Sequence, residues 1–382
     1  MTDSPFWAGA EPGATRRHTG TGAIGGPSTK LPGVYRRAYA LLIGVAALMV
    51  VLAFIAATAL DRRLIDPDGF LGPSWMRLPL LCLAALFVDL VPRALWLAKG
   101  RPKAMVVVIK ERWEQHWNRE RFTLVMLGIV CFYLTYVSYR NLKSFLPLIL
   151  GDANYDRPLD ILDHALFFGH TPAGVVHGIF GTTFMAHILS AVYMFFIPMV
   201  AVFVAIWCVW SKNISYGYWF VTSQVLIWTL GTATYYMLPS LGPGFEYPAR
   251  YLDLAHTNTT DLMNSLYNSR EAALWWAGYD GPQTVAAFAS LHTGVSLLWA
   301  LMAQYTVKIR WVHWVMWTNF TLTVIATLYF GWHYVADDIA GVAIAIISFY
   351  LGGLASGQKF DRHGLSSHPT TTTSKIPIEA DD

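Results

Sequence analysis

Apolar residues in this chain run in long unbroken blocks, without the short alternation that gives a soluble helix or strand one buried face. Eight blocks lie near 38–60, 78–98, 122–146, 183–210, 214–238, 285–307, 311–332 and 334–355. Each reaches the roughly 20 apolar residues needed to cross a hydrocarbon core about 30 Å thick. They predict an all-α fold, a polytopic membrane helical bundle of about eight transmembrane helices. The first block exceeds a signal-peptide core and has no small-residue cleavage site, so it is expected to be retained.

Between the blocks, the connections divide the chain into five parts. Residues 1–37 are Gly/Pro/Thr-rich and read as a disordered cytoplasmic tail; 38–98 hold two N-terminal transmembrane helices. Residues 99–121 are basic but carry Val106–Val108, Trp113 and Trp117, the mix expected of a helix lying in the inner interface. Residues 122–355 form a six-helix catalytic core, and 356–382 a second, Ser/Thr-rich tail. With the N-terminus inside, the cytoplasmic segments hold eighteen Lys and Arg and the outer loops six. Cytoplasmic loops favour these residues. Both termini are therefore expected in the cytoplasm of a plasma-membrane protein, with loops 151–182 and 239–284 outside.

Composition agrees with this. The chain of 382 residues is 55% hydrophobic and 13% charged, about half the charge of a typical soluble domain. Its 15% aromatic content excludes bulk disorder. Cys82, Cys131 and Cys208 all lie in apolar blocks and read as small buried hydrophobes, which excludes a disulfide scaffold. A net charge of +3 gives no reason to expect nucleic acid as a partner. Asp89 and Arg93, four apart in the second block, read as an intrahelical pair, and His116, His187 and His313 as hydrogen-bonded polar residues.

Once orientation is set, polar residues from four segments fall at one depth near the outer face. These are Arg140 and Lys143, the stretch Pro239-Ser240-Leu241-Gly242-Pro243, Ser290 with His292, and His333 with Asp337. His333 and Asp337 are four apart, so if the helix begins near His333 they share a face, one turn apart. A carboxylate there holds one imidazole nitrogen and leaves the other as nucleophile or base. His292 is the complementary acid, and Ser290 offers a hydroxyl to an anion. Gly341, one turn on, lets a neighbouring helix approach. Asp338 is expected on another side of the helix, capping its start or meeting solvent. Intramembrane ionisable groups are expensive and usually functional.

Ser290-x-His292 followed by His333-x3-Asp337-x3-Gly341 resembles the second and third signatures of the type 2 phosphatidic acid phosphatase superfamily. The Gly331-x-His333-Tyr334 form and Tyr236-x-x-Pro239-x3-Pro243 look more like its inositolphosphotransferase branch, which includes fungal inositol-phosphorylceramide synthases. The resemblance covers about 122–355. It implies that His333 attacks phosphorus to give a phosphohistidine, that Asp337 orients it, that His292 protonates the departing alkoxide and that Ser290 lies near the phosphate. Tyr236, Pro239, Gly242 and Pro243 are expected to shape the pocket.

This sequence departs from the pattern in three places. The first signature is absent, Thr327 stands where the third usually carries Arg, and the second reads Ala289-Ser290-Leu291-His292. Arg140, Lys143 and Arg250 are the candidates to neutralise phosphate. The implied partner is a membrane lipid carrying a phosphate or phosphodiester, with water or an alcohol such as inositol or a lipid alcohol as acceptor. No metal or cofactor is called for. The outer loop 239–284, with Trp275, Trp276 and Tyr279, is long enough to fold over the site and exclude water, or else rests on the membrane surface. Two other readings are a transporter using the His and Asp residues as a proton relay and a zinc-dependent membrane hydrolase. Gathering at one face speaks against the relay, and chelator sensitivity separates the zinc enzyme.

Overall fold

The computed structural model describes residues 35–66, 74–151, 153–276, 285, 287–358 and 360. Most of the two tails, and Tyr279 with them, lie outside those residues. All regular structure among the described residues is helical. The helices are α1 (Arg36–Ala59), α2 (Ser74–Ala98), α3 (Pro102–His116), α4 (Arg119–Leu150), α5 (Asp156–Leu166) and α6 (Pro172–Phe180). There follow α7 (Phe184–Val204), which runs on through a π-helical turn at Ala205–Trp210, α8 (Ile214–Met237) and α9 (Pro243–Glu246). A 3₁₀ turn at Pro248–Tyr251 leads to α10 (Asn258–Trp275), α11 (Leu291–Thr306), α12 (Arg310–Tyr329) and α13 (Val335–Ala355).

Five helices, α1, α2, α4, α7 and α13, are long and apolar enough to cross a membrane. Three of the eight expected spans fall short of that standard, for different reasons. α8 is enclosed by α1, α4, α11 and α13 and is buried on nearly every side. Facing protein on all sides, it tolerates Thr222, Ser223 and Gln224 in its middle, each fully buried. α11 has 16 residues because the chain before Leu291 is not helical, which shortens the expected 285–307 block. α12 carries Asn319 and several Thr among its apolar residues.

The core falls into two clusters. One surrounds α8 and includes Trp219, Trp299, Phe349 and Tyr218. The other joins α7, α12 and the loops 151–182 and 239–284 through Tyr193, Phe245, Tyr329 and Trp332. α1 packs against α4 and α8, and α2 against α3 and α4. In α3, Val106, Val107 and Trp113 are exposed beside Lys110.

Two expectations are corrected. Asp89 pairs with Arg112 of α3 at 2.8 Å and accepts from Trp117 Nε1 at 2.9 Å, rather than pairing with Arg93. The α2–α3 turn brings that guanidinium back along α2, where its Nε and Nη2 each donate to Asp89, at 2.9 and 2.8 Å. The C-terminal tail is docked at its start: Gln358 bonds Ser215, and Phe360 packs on Trp219 and Phe349.

Candidate active site

His333 sits in the turn between α12 and α13, and Tyr334 is the N-cap of α13. The helix begins at Val335, so His333 and Asp337 do not share a helix face as expected; they meet around its N-terminus instead. Asp337 is fully buried and accepts the Tyr334 N–H at 2.9 Å, satisfying an N-terminal donor. The same oxygen, Oδ2, lies 3.4 Å from His333 Nδ1. His333 Nδ1 and Asp337 Oδ1 have no hydrogen-bond partner, so the pair is placed but not yet bonded. Burial pushes the His333 imidazole down to about 4, with Asp338 opposing and Lys143 adding to the effect. The ring is therefore neutral at pH 7, the form that carries a nucleophilic lone pair.

α11 presents the second motif through direct backbone contact with α13. Ser290, the N-cap of α11, donates its N–H to the Asp337 carbonyl at 3.0 Å. A Cβ on Gly341 would strike the Ser290 carbonyl oxygen, and one on Gly294 would lie 2.9 Å from the Gly341 carbonyl oxygen. The absent side chains set the helix spacing, as the sequence led us to expect for Gly341. The ring of His292 stacks on Tyr193 at 4.3 Å and meets Phe196 at the same distance, both from α7. It is close enough to His333 for the two imidazoles to act on each other electrostatically.

Asp338 is not a solvent-facing cap. It is 5% exposed, and its carboxylate accepts from Thr293 at 2.5 Å and from Thr327 at 3.0 Å. Thr327, the position where an Arg was expected, thus uses its hydroxyl to hold Asp338 between α11, α12 and α13. The first turn of α13 faces the bundle on that side also, which is why Asp338 is enclosed.

Lys143 is buried with its ammonium 4.9 Å from the Tyr235 ring centre and 5.8 Å from that of Tyr139. Its charge reaches both His292 and His333. Arg140, one turn earlier on α4, has a buried Nε without a partner. Arg250 is engaged elsewhere: Asp160 takes it at 2.5 and 3.1 Å, and it lies over Tyr247. It still borders the cleft that reaches His333, together with Asp160, Asp163, Thr171 and Pro243.

The other expected pocket residues hold the loop after α8 in place. Tyr236 donates its hydroxyl to the Leu142 carbonyl at 2.6 Å, tying α8 to α4 next to Lys143. Pro239 accepts the Tyr155 N–H at 2.8 Å. Gly242 has φ +96°, and its N–H and that of Leu241 both go to Asp156 at 2.8 Å. Pro243 opens α9, and the next N–H, of Gly244, donates to Gly331 at 2.7 Å. In the rest of that loop, α10 lies against α7, and Trp275 and Trp276 are exposed.

Two residues beside the site escaped the sequence reading, Asp156 and Asp163. Asp156 also accepts from the Tyr334 hydroxyl at 2.9 Å, and Asp163 accepts the Val335 N–H at 3.2 Å. Burial raises both carboxyls, Asp163 to about 7, where Asp337 and Asp160 add to the rise. Their signal was the spacing Asp156, Asp160, Asp163, which puts three carboxylates on one face of a helix. Among the described residues, no three His, Cys, Asp or Glu side chains gather so as to hold a metal ion.

A neutral buried imidazole facing a carboxylate, with a second imidazole and an uncommitted ammonium close by, is the equipment of phosphoryl transfer. The sequence matches the PAP2 superfamily over residues 158–351, half of the chain, and the protein belongs to that superfamily of phosphatase-type enzymes acting on lipid phosphates. The match and the five long apolar helices make it an integral membrane protein. It begins within α5, so α4 with Arg140 and Lys143 lies outside the matched region. No curated protein matches the chain. No solved structure matches it either.

Proposed function

We propose that the protein is a lipid-phosphate phosphatase or phosphotransferase that works through a phosphohistidine at the non-cytoplasmic face of the plasma membrane, with both termini in the cytoplasm. The observation that carries this reading is the 3.4 Å approach of Asp337 to Nδ1 of a buried, neutral His333. With Nδ1 held by Asp337, the other ring nitrogen attacks phosphorus. The bond from phosphorus to the lipid oxygen breaks, and His292 gives that oxygen a proton. Lys143 and Arg140 neutralise the equatorial oxygens, and Ser290 contributes a hydroxyl. The arriving phosphate also supplies the negative charge that lets His292 hold its proton.

In the second half an acceptor oxygen attacks the phosphohistidine, the phosphorus–nitrogen bond breaks, and His292 recovers a proton from the acceptor. Water as acceptor gives phosphatase action; an alcohol gives transfer. The motif form favours the transferase branch, with inositol or a lipid alcohol as the acceptor. Exposure of Trp275 and Trp276 supports the membrane-surface role for that end of the loop. The test incubates purified protein with phospholipids labelled in the headgroup phosphate, with and without inositol or a lipid alcohol. Label in free phosphate means hydrolysis, and label in a new lipid means transfer. Label that stays in the starting lipids under every condition refutes the proposal.

A further inference from the structure

We propose that Asp163 is a positioning residue of the phosphoryl-transfer centre: from α5 it fixes the turn that carries His333, and its protonation sets the charge against which His333 works. This rests on the phosphohistidine reading and adds to it a group from outside the two motifs. Asp156 and Asp163 are seven apart on α5, so both face the start of α13. Asp156 takes the Tyr334 hydroxyl and Asp163 the Val335 N–H, which brackets the turn on either side of the N-cap. Asp163 is 2% exposed and borders the same cleft as His333. Asp337, whose Oδ2 faces His333, has a buried Oδ1 with no partner, and its charge is felt at Asp163.

Two buried carboxylates so placed resist being ionised together. Burial first, then Asp337 and Asp160, push Asp163 up to about 7; the Val335 N–H and His164 favour its ionised form. Asp163 is faced by Asp337 from α13, His333 from the turn, Arg250 and Tyr251 from the loop after α9, and Asp160 and His164 on its own helix. Arg250 is the one fixed cation among them, and Asp160 takes it in two contacts. Below about 7, Asp163 is a neutral acid, and the carboxylate whose charge reaches His333 is that of Asp338. Above it, a second negative charge stands in the cleft where a phosphate must arrive. Attack on phosphorus therefore slows as pH rises.

The experiment measures phosphoenzyme formation against pH in detergent, with dioctanoyl phosphatidic acid as the probe, for wild type, Asp163→Asn and Asp163→Glu. Asn keeps an oxygen for the Val335 N–H and removes the titration. The wild-type rate is expected to fall about tenfold from about pH 6 to about pH 8.5, and that of Asp163→Asn by less than about twofold. Glu is expected to move the limb. The substrate's own titration is common to all three. An Asp163→Asn profile that superimposes on wild type, at whatever absolute rate, overturns the proposal, because a purely structural role lowers the rate without moving the limb. If Asp163→Asn does not fold, an unmoved limb in Asp163→Glu overturns it equally. Wild-type protein that forms no phosphoenzyme at any pH refutes the phosphohistidine reading and this one with it. An unmoved limb in an enzyme that does phosphorylate refutes only this one.

Discussion

Lys143→Met separates what the reaction needs from what the fold needs. The ammonium is buried, has two aromatic rings for partners and, among the described residues, meets no carboxylate. A lysine charge in the membrane interior costs about 3 kcal/mol. Desolvated cation–π contacts offset about 2 kcal/mol of that. Methionine keeps the unbranched stem and drops the charge. The free protein is therefore expected to gain about 1 kcal/mol, a rise in Tm of about 2 °C. A donor aimed at charge developing on a transferring group contributes about 3 kcal/mol, so kcat is expected to fall about 100-fold. Thermal unfolding in detergent and initial rates on a short-chain phosphatidic acid measure the two quantities on one preparation. Wild-type kcat would refute the phosphate-binding role of Lys143. A Tm lowered by more than about 5 °C would show that the charge serves the fold instead.

Three further outcomes are expected. His292→Ala should slow substrates with poor leaving alcohols most, because proton donation matters most there; equal slowing across a leaving-group series counts against the acid role. Gly341→Ala puts a methyl group against the Ser290 carbonyl oxygen and pushes α11 off α13. A displacement of about 1 Å between the two motifs is expected to cost about 100-fold in kcat, and unchanged kinetics would show that the spacing is not critical. Activity should persist in EDTA; loss restored by added zinc would move the mechanism to a metal hydrolase.

Much of the fold was legible because lipid-crossing helices announce themselves by length and apolarity. The limits appeared where helices face protein on all sides. α8 is shielded from lipid, so its polar residues are tolerated and its block is less apolar than a lipid-facing span. At the site, the spacing of His333 and Asp337 carried the reading, since a contact one turn apart is local. Partners contributed by other helices were not visible in this way. Asp89 finds Arg112 across the α2–α3 turn, and Asp338 is enclosed by hydroxyls from α11 and α12. Asp156 and Asp163 lie on a helix separated from His333 by some 170 residues of chain, and only the packing of α5 on α13 makes them neighbours.

The central claim is a covalent phosphorus–nitrogen bond at His333. Purified protein should be quenched in base within its first turnover on labelled phosphatidic acid, then digested and mapped. The account predicts label that is stable to base and lost in acid, on the peptide containing His333, and absent from His333→Ala. Label on another residue, or turnover by purified His333→Ala at the wild-type rate, would contradict it.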